Sequence, residues 1–304
     1  MRRRLLIAAV IGVVSGLLCY GYQVVSARGA GDFGWSLRLV PDLLAGRDPY
    51  AYPVELTPMA YPVTAALIAA PFSILPGNVA AGVFFGLSSG LLAFGLIRGG
   101  EWWRLLVFLA FPYWHALQVV QWSPLLFAVA LFPALLPLTL AKPHIGFPIA
   151  MTRLTWRRAA ACAAFGLFSL VWLPDWPLRW LGHQAAPEQY LPPLAILPFG
   201  PLVLLALLRW RDDQARFLLL MAAVPQRLFY DVFVLWLIPQ TARQVLVLAG
   251  LSWIVYFGWF FWPAGGMALA VALLYLPALA LVLWPRRASS AAGRVVTDSA
   301  GSLT

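Results

Sequence analysis

The sequence is poor in charge. Only 11% of its 304 residues are Asp, Glu, Lys or Arg, against 62% hydrophobic, whereas a soluble domain carries about a quarter charged residues. Lysine is scarcer still: of 21 basic residues, Lys142 is the one lysine and the rest are arginine. Cysteine is nearly missing as well. Cys19 and Cys162 both sit inside apolar runs, so no disulfide framework or thiolate metal site is indicated and both read as packed thiols. The three histidines, His115, His144 and His183, share no ligand spacing, and no His-Glu-x-x-His pattern occurs. No metal or other cofactor is expected. Ser123 has no base positioned beside it, which argues against a serine hydrolase.

Long apolar runs are what the chain has in abundance. Stretches of about 17–25 residues recur, the length that crosses a hydrocarbon core of about 30 Å. They predict an all-α fold: a polytopic transmembrane helical bundle of about 8–10 membrane segments, some short or re-entrant. One integral membrane domain is expected over residues 1–287, with a disordered cytoplasmic tail at 288–304. The formal net charge of +10 would suggest nucleic acid in a soluble protein. Here the arginines are dispersed among apolar runs, so they read as topology signals and contacts to membrane lipids, with no nucleic-acid partner.

Arg2, Arg3 and Arg4 ahead of the apolar run Leu5 to Val25 predict an uncleaved first span with its start in the cytoplasm. Residues 26–60 then form a first outer loop, in which Trp35, Leu39 and Leu43 at i, i+4 and i+8 predict a short interfacial helix ended by Gly46. Arg153, Arg157 and Arg158 form the strongest internal basic cluster, expected inside, and residues 174–193 form a second outer loop. The Pro-broken stretches 61–75, 125–152 and 217–238 are ambiguous between short spans and re-entrant segments.

Four of the 11 acidic residues, Asp32, Asp42, Asp48 and Glu55, crowd into the first outer loop. A carboxylate at a membrane boundary is costly unless solvated or used. On the positive-inside assignment, Asp32, Gln121, Lys142, Arg227 and Asp231 all fall towards the outer face, at the ends of apolar runs. A single outward cavity lined by them accounts for all five. A carboxylate beside fixed cations suits a phosphate-bearing lipid and an incoming hydroxyl, the first accepting a proton and the second stabilising a leaving phosphate. Each residue also has a plainer reading. Asp32 could cap the interfacial helix, Asp48 could be a solvated loop carboxylate, Lys142 could snorkel, and Arg227 could pair with Asp231.

The run Gly31, Asp32, Phe33, then Leu44-Ala-Gly-Arg-Asp-Pro-Tyr50, then Tyr61 and Pro62, resembles the first outer loop of the GT-C glycosyltransferases. It is closest to glycosyltransferase family 87, the polyprenol-phosphate-mannose-dependent mannosyltransferases. Gln121 with Ser123, Lys142 with Pro143, and Tyr230 with Asp231 resemble further elements of that family in the same order. The resemblance spans about residues 1 to 240. It implies a GT-C bundle that moves mannose or another hexose or pentose from a polyprenyl-phosphate donor to a hydroxyl of a glycolipid or cell-envelope glycan, with inversion. Asp32 would be the base, Lys142 and Arg227 would face the donor phosphate, and Gln121, Tyr230, Asp231 and Asp48 would complete the site. The implied location is the bacterial inner membrane, with the site on the outer face. Val120 stands where the family has glycine, and the chain is shorter at its carboxy-terminal end. The rival reading is a transporter or lipid flippase, which an inverted repeat would mark; none is visible.

Overall fold

The apolar runs fold as helices, and no strand occurs among the described residues, 1–52, 61–183 and 191–284 of a computed structural model. Glu55, Glu188 and the expected tail lie outside those residues. The helices in chain order are α1 (Arg2–Ser26), α2 (Phe33–Leu44), α3 (Val63–Ala69), α4 (Gly77–Ile97), α5 (Phe111–Val119), α6 (Ser123–Leu131) and α7 (Pro143–Arg153). They continue with α8 (Trp156–Leu170), α9 (Trp176–Gly182), α10 (Asp213–Ala223), α11 (Ala242–Phe261), α12 (Gly266–Ala270) and α13 (Leu276–Leu283). Among the described residues, four helical stretches are long and apolar enough to cross a membrane: α1, α4, α11, and residues Pro263–Leu283, which include α12 and α13. The lipid-length surface of α1 is apolar and exposed at Leu6, Val13, Leu17 and Val25, and that of α11 at Ile254, Phe257 and Phe260. Exposed apolar area on that scale belongs against hydrocarbon rather than water.

The remaining runs are interrupted by proline and pass into 3-10 geometry. Trp102–Leu109 is a 3-10 helix of 8 residues that leads into the 9-residue α5. At about 2.0 and 1.5 Å per residue the two together reach about 30 Å, one bilayer core. The run after them behaves differently. α6 descends until Phe132 meets Phe94 and lies under Arg98, at the end of α4 remote from Gly77. There the chain reverses, and a second 3-10 helix, Pro133–Ala141, climbs back. Residues 123–141 are therefore a helical hairpin and not a crossing, because Pro133 and Pro137 cannot donate the backbone bonds that an unbroken helix needs. Further along, a loop at 224–230 joins α10 to a 3-10 helix, Asp231–Leu237.

α1 and α4 run antiparallel at backbone contact. A Cβ added at Gly12 would sit 2.9 Å from the Gly86 carbonyl oxygen, and one at Gly16 would sit 2.7 Å from that of Gly82. The reverse views agree: Gly86 meets the Gly12 oxygen at 2.8 Å and Gly82 that of Gly16 at 2.9 Å. In lipid, where apolar side chains gain nothing by leaving the solvent, close packing through small residues is the available driving force. The pair in turn buries polar side chains: Tyr113 of α5 donates from its hydroxyl to Ser15 at 2.7 Å, and Gln23 donates to the Gln118 carbonyl at 2.9 Å.

The short helix expected from Trp35, Leu39 and Leu43 is α2, which ends two residues before Gly46, at φ 65°. Its apolar face, with Leu39, Val40 and Leu43, packs on Val63 and Ala66 of α3 and Trp176 of α9. The two stretches expected as outer loops are stitched together there. Arg179 bridges Asp48 and Asp175, and the Tyr50 hydroxyl donates to the Tyr61 carbonyl at 2.7 Å.

The glycine contact gives a direct test. Gly86→Val is expected to cost about 2 kcal/mol or more, as overpacking does, read as thermal unfolding of the detergent-solubilised protein. Gly21→Val, at a position with nothing within 4 Å of the added Cβ, should leave the midpoint unchanged.

Candidate functional site

Four connections meet at one place: the turn after α1, the turn between α5 and α6, the tip before α7, and the loop after α10. Each is shaped by local sequence. Gly31 has φ 52°, and a Cβ on it would stand 2.6 Å from the Val119 carbonyl oxygen. Glycine is therefore what lets the Asp32 amide donate to that same oxygen at 2.7 Å. α5 ends in a left-handed residue, Val120, at φ 54°, so the chain turns sharply and delivers Gln121. Lys142 precedes Pro143, which opens α7; the proline holds Lys142 extended, with φ −142° and ψ 76°. Asp231 heads the 3-10 helix Asp231–Leu237 and folds back on its own loop, its Oδ2 accepting from the Arg227 backbone amide at 2.9 Å.

The side chains form one continuous hydrogen-bonded series. Gln121 donates from Nε2 to Asp32 Oδ2. Lys142 Nζ donates to Gln121 Oε1 at 2.8 Å and to Asp231 Oδ1 at 2.5 Å. His144 Nε2 lies 3.6 Å from Asp231 Oδ2. Lys142 also stands over the Tyr230 ring, 4.7 Å from its centroid, a contact that favours a desolvated cation. Burial grades along the series. Gln121, Lys142 and Asp231 are 1%, 5% and 1% exposed, whereas Asp32 is only half-buried and opens onto a cavity of about 490 Å³.

Asp32, Arg227, Gln226 and Tyr230 line that cavity together with His115, Phe229, Trp259 and Met267. Burial raises the Asp32 carboxyl above the usual carboxylate range, and the cations Lys142 and Arg227, with the Gln121 hydrogen bond, only partly offset it. Asp32 thus sits in a low-dielectric pocket that a positive charge, Arg227, also lines. The arrangement can accept a proton and stabilise an anion a short distance away.

The capping alternative for Asp32 is not what occurs. Its backbone is helical, at φ −67° and ψ −28°, and its side chain makes no cap hydrogen bond to α2; the carboxylate goes to Gln121 instead. For Asp231, the ion-pair partner is Lys142, while Arg227 contributes its backbone amide. Asp32, Gln121, Lys142, Arg227, Tyr230 and Asp231, all expected at the site, are brought together. Asp48 is not among them: it accepts from the Tyr50 amide at 2.9 Å and pairs with Arg179 of α9. Lys142, expected at a donor phosphate, is held behind Gln121 and Tyr230, and Arg227 is the cation on the cavity wall.

Sequence reasoning passed over His115, Trp259 and Met267. His115 stacks on Tyr230 with ring centroids 5.7 Å apart, but a lone histidine in an apolar run carries no signal. Trp259 and Met267 flank the bend between α11 and α12, beyond the motif-bearing part of the chain. Among the described residues no group of three or more His, Cys, Asp or Glu is placed to hold a metal ion. Comparison with protein-family models, curated proteins and solved structures finds no match. Fold and site together define an all-helical protein with four membrane-length apolar helices and a buried charge network beneath an open cavity.

Opening the buried pair should be costly. Asp231→Asn leaves Lys142 without its counter-charge and is expected to lose about 3–5 kcal/mol, measured by chemical or thermal unfolding in detergent. Lys142→Met combined with Asp231→Leu should recover much of that loss, since an apolar pair leaves no charge stranded.

Proposed function

We propose that the protein is an integral membrane glycosyltransferase of the GT-C type. It takes a sugar, mannose or another hexose or pentose, from a polyprenyl-phosphate donor and passes it to a hydroxyl of a glycolipid or cell-envelope glycan on the outer face of a bacterial inner membrane. The observation that carries the reading is the pairing of a half-buried carboxylate, Asp32, with a guanidinium, Arg227, on the wall of one cavity. The order and spacing of the motifs that meet there support it further. At about 490 Å³ the cavity falls within the range of small-molecule sites, about 300–1,000 Å³.

The reaction uses these groups in a single displacement. The acceptor hydroxyl gives its proton to an Asp32 carboxylate oxygen as its own oxygen bonds to the anomeric carbon. The bond from that carbon to the phosphate oxygen breaks, the electron pair leaves with the polyprenyl phosphate, and configuration inverts. Charge gathering on the phosphate is met by Arg227. One carboxylate is enough, because a phosphate leaves without the protonating acid that a glycosidase supplies. The aromatic and apolar wall of Phe229, Trp259 and Met267 suits the lipid-proximal part of the donor and keeps water from the anomeric carbon.

Purified protein incubated with labelled polyprenyl-phosphate sugars and membrane lipid extract tests the reading. Asp32→Asn is expected to lower kcat by about 10²–10⁴, the range of general-base contributions; transfer that survives in this variant sinks the assignment. Arg227→Gln should lower kcat by about 10².

The base works deprotonated and its carboxyl is raised by burial. The rate should therefore rise with pH, with its acid limb centred above the ordinary aspartate value of about 3.9. A limb at or below that value counts against Asp32.

A further inference from the structure

We propose that Lys142 and Gln121 are positioning residues that fix the direction and charge state of Asp32, and that Lys142 acts through the Gln121 amide rather than on the substrate. The inference rests on Asp32 being the base of the reaction above.

The argument is one of donors and acceptors. A lysine ammonium can only donate, and a carboxylate can only accept. Lys142 Nζ lies 2.8 Å from Gln121 Oε1, so that end of the amide must be its oxygen. The other end, Nε2, then has to present N–H to Asp32 Oδ2, as it does. Swapping the two ends would set an N–H against an ammonium and a carbonyl against a carboxylate. The amide therefore has one orientation. It is 1% exposed, so water does not compete for either contact.

Polarised at its oxygen by Lys142, the amide is a stronger donor at its nitrogen. It stabilises Asp32 as the anion and leaves the second carboxylate oxygen for an incoming hydroxyl. Lys142 is itself immobilised, by Asp231 at 2.5 Å on one side and the Tyr230 ring on another.

This geometry also accounts for the one lysine in an arginine-rich chain. The ammonium is a compact point charge with three donors at tetrahedral angles, which can reach Gln121 and Asp231 together from beside an aromatic face. Arginine's flat fork is larger and lays its donors in a plane. Around Asp32 the other titratable and charged groups are Arg227, Tyr230 and Asp231 from the loop after α10, and His115 from α5. None of these is displaced when Gln121 alone is changed.

The test follows Asp32 directly. The carboxylic C=O stretch of full-length protein in detergent is titrated by infrared spectroscopy and assigned by difference against Asp32→Asn. In Gln121→Met the Lys142–Asp231 pair is kept, and the midpoint of Asp32 is expected to move up by about one pH unit. Gln121→Glu, nearly isosteric and the fallback if the methionine variant does not fold, puts a second carboxylate against Asp32 and should move it further. Lys142→Arg should also raise the midpoint and lower kcat about 10-fold or more, with KM changed little.

Asp32 midpoints in Gln121→Met and Gln121→Glu that match wild type would overturn the proposal, as would a Lys142→Arg protein with wild-type titration and transfer. A purely structural role for Gln121 would shift the unfolding midpoint and leave the Asp32 titration in place. The infrared arm needs no turnover. If the shifts appear while wild type transfers no sugar, the positioning stands and the transferase reading falls.

Discussion

One buried charge organises this protein. Lys142 is 5% exposed, and an ammonium at that depth survives only if its charge is answered and its donors are filled. Asp231 answers the charge, Gln121 Oε1 takes a second donor, and the Tyr230 ring covers it. These partners come from two connections, the loop after α10 and the turn between α5 and α6; with Lys142's own tip that makes three, and through Gln121 the series reaches a fourth, the turn carrying Asp32. None of the hairpin tips could relax independently without stranding a polar group in an apolar interior. The ion pair need not add net stability to have this effect. Its value lies in penalising every arrangement in which the tips fail to meet.

That constraint explains why so many helices here stop short. A helix that crosses the bilayer unbroken presents only side chains to the interior. A helical hairpin that ends inside presents a tip, whose extended residues and free backbone groups can be aimed. Proline sets where the tips fall: Pro133 and Pro137 break the run between α6 and Lys142, Pro143 opens α7, and Pro225 follows α10. The non-helical backbone there lies against protein and lines a cavity, the setting in which a membrane protein tolerates it. The unbroken helices α1 and α4 play the complementary part, locked at glycine contacts as a rigid wall on which α5 and α6 rest.

How much of this the sequence carried depended on whether the signal was local. The charge deficit and apolar runs are local, and α1, α2, α4 and α11 follow them closely. The left-handed Gly46 after α2 and the Thr155 cap of α8, which accepts from the Arg158 amide, are likewise short-range features. The hairpin at 123–141 was not legible, since a Pro-broken run of that length suits one crossing or two half-crossings equally. What decides it is Lys142 meeting Gln121, a contact across 21 residues of chain. Asp48 shows the same limit. Its motif placed it beside Asp32 in sequence, but its geometry is set by Arg179, 131 residues away. His115 and Trp259 join the cavity purely by packing, which no spacing announces.

Val120 shows how a departure from a pattern can be physically contained. The family element that this turn resembles has glycine before the glutamine, and at φ 54° the turn that delivers Gln121 is left-handed, where a β-branched residue pays about 1–2 kcal/mol. Valine nonetheless sits here fully buried. Its Cγ2 lies 3.0 Å from where a Cβ of Gly31 would be, so it fills the space that the glycine beside Asp32 leaves open. Burying that side chain is worth about 1.5–3 kcal/mol, enough to offset the backbone strain. The two positions divide one job between them. Gly31 must lack a side chain so that the Asp32 amide can reach the Val119 carbonyl, and Val120 then seals the gap from the other side. The turn keeps the shape that a glycine would have given it, and Gln121 still arrives between Asp32 and Lys142.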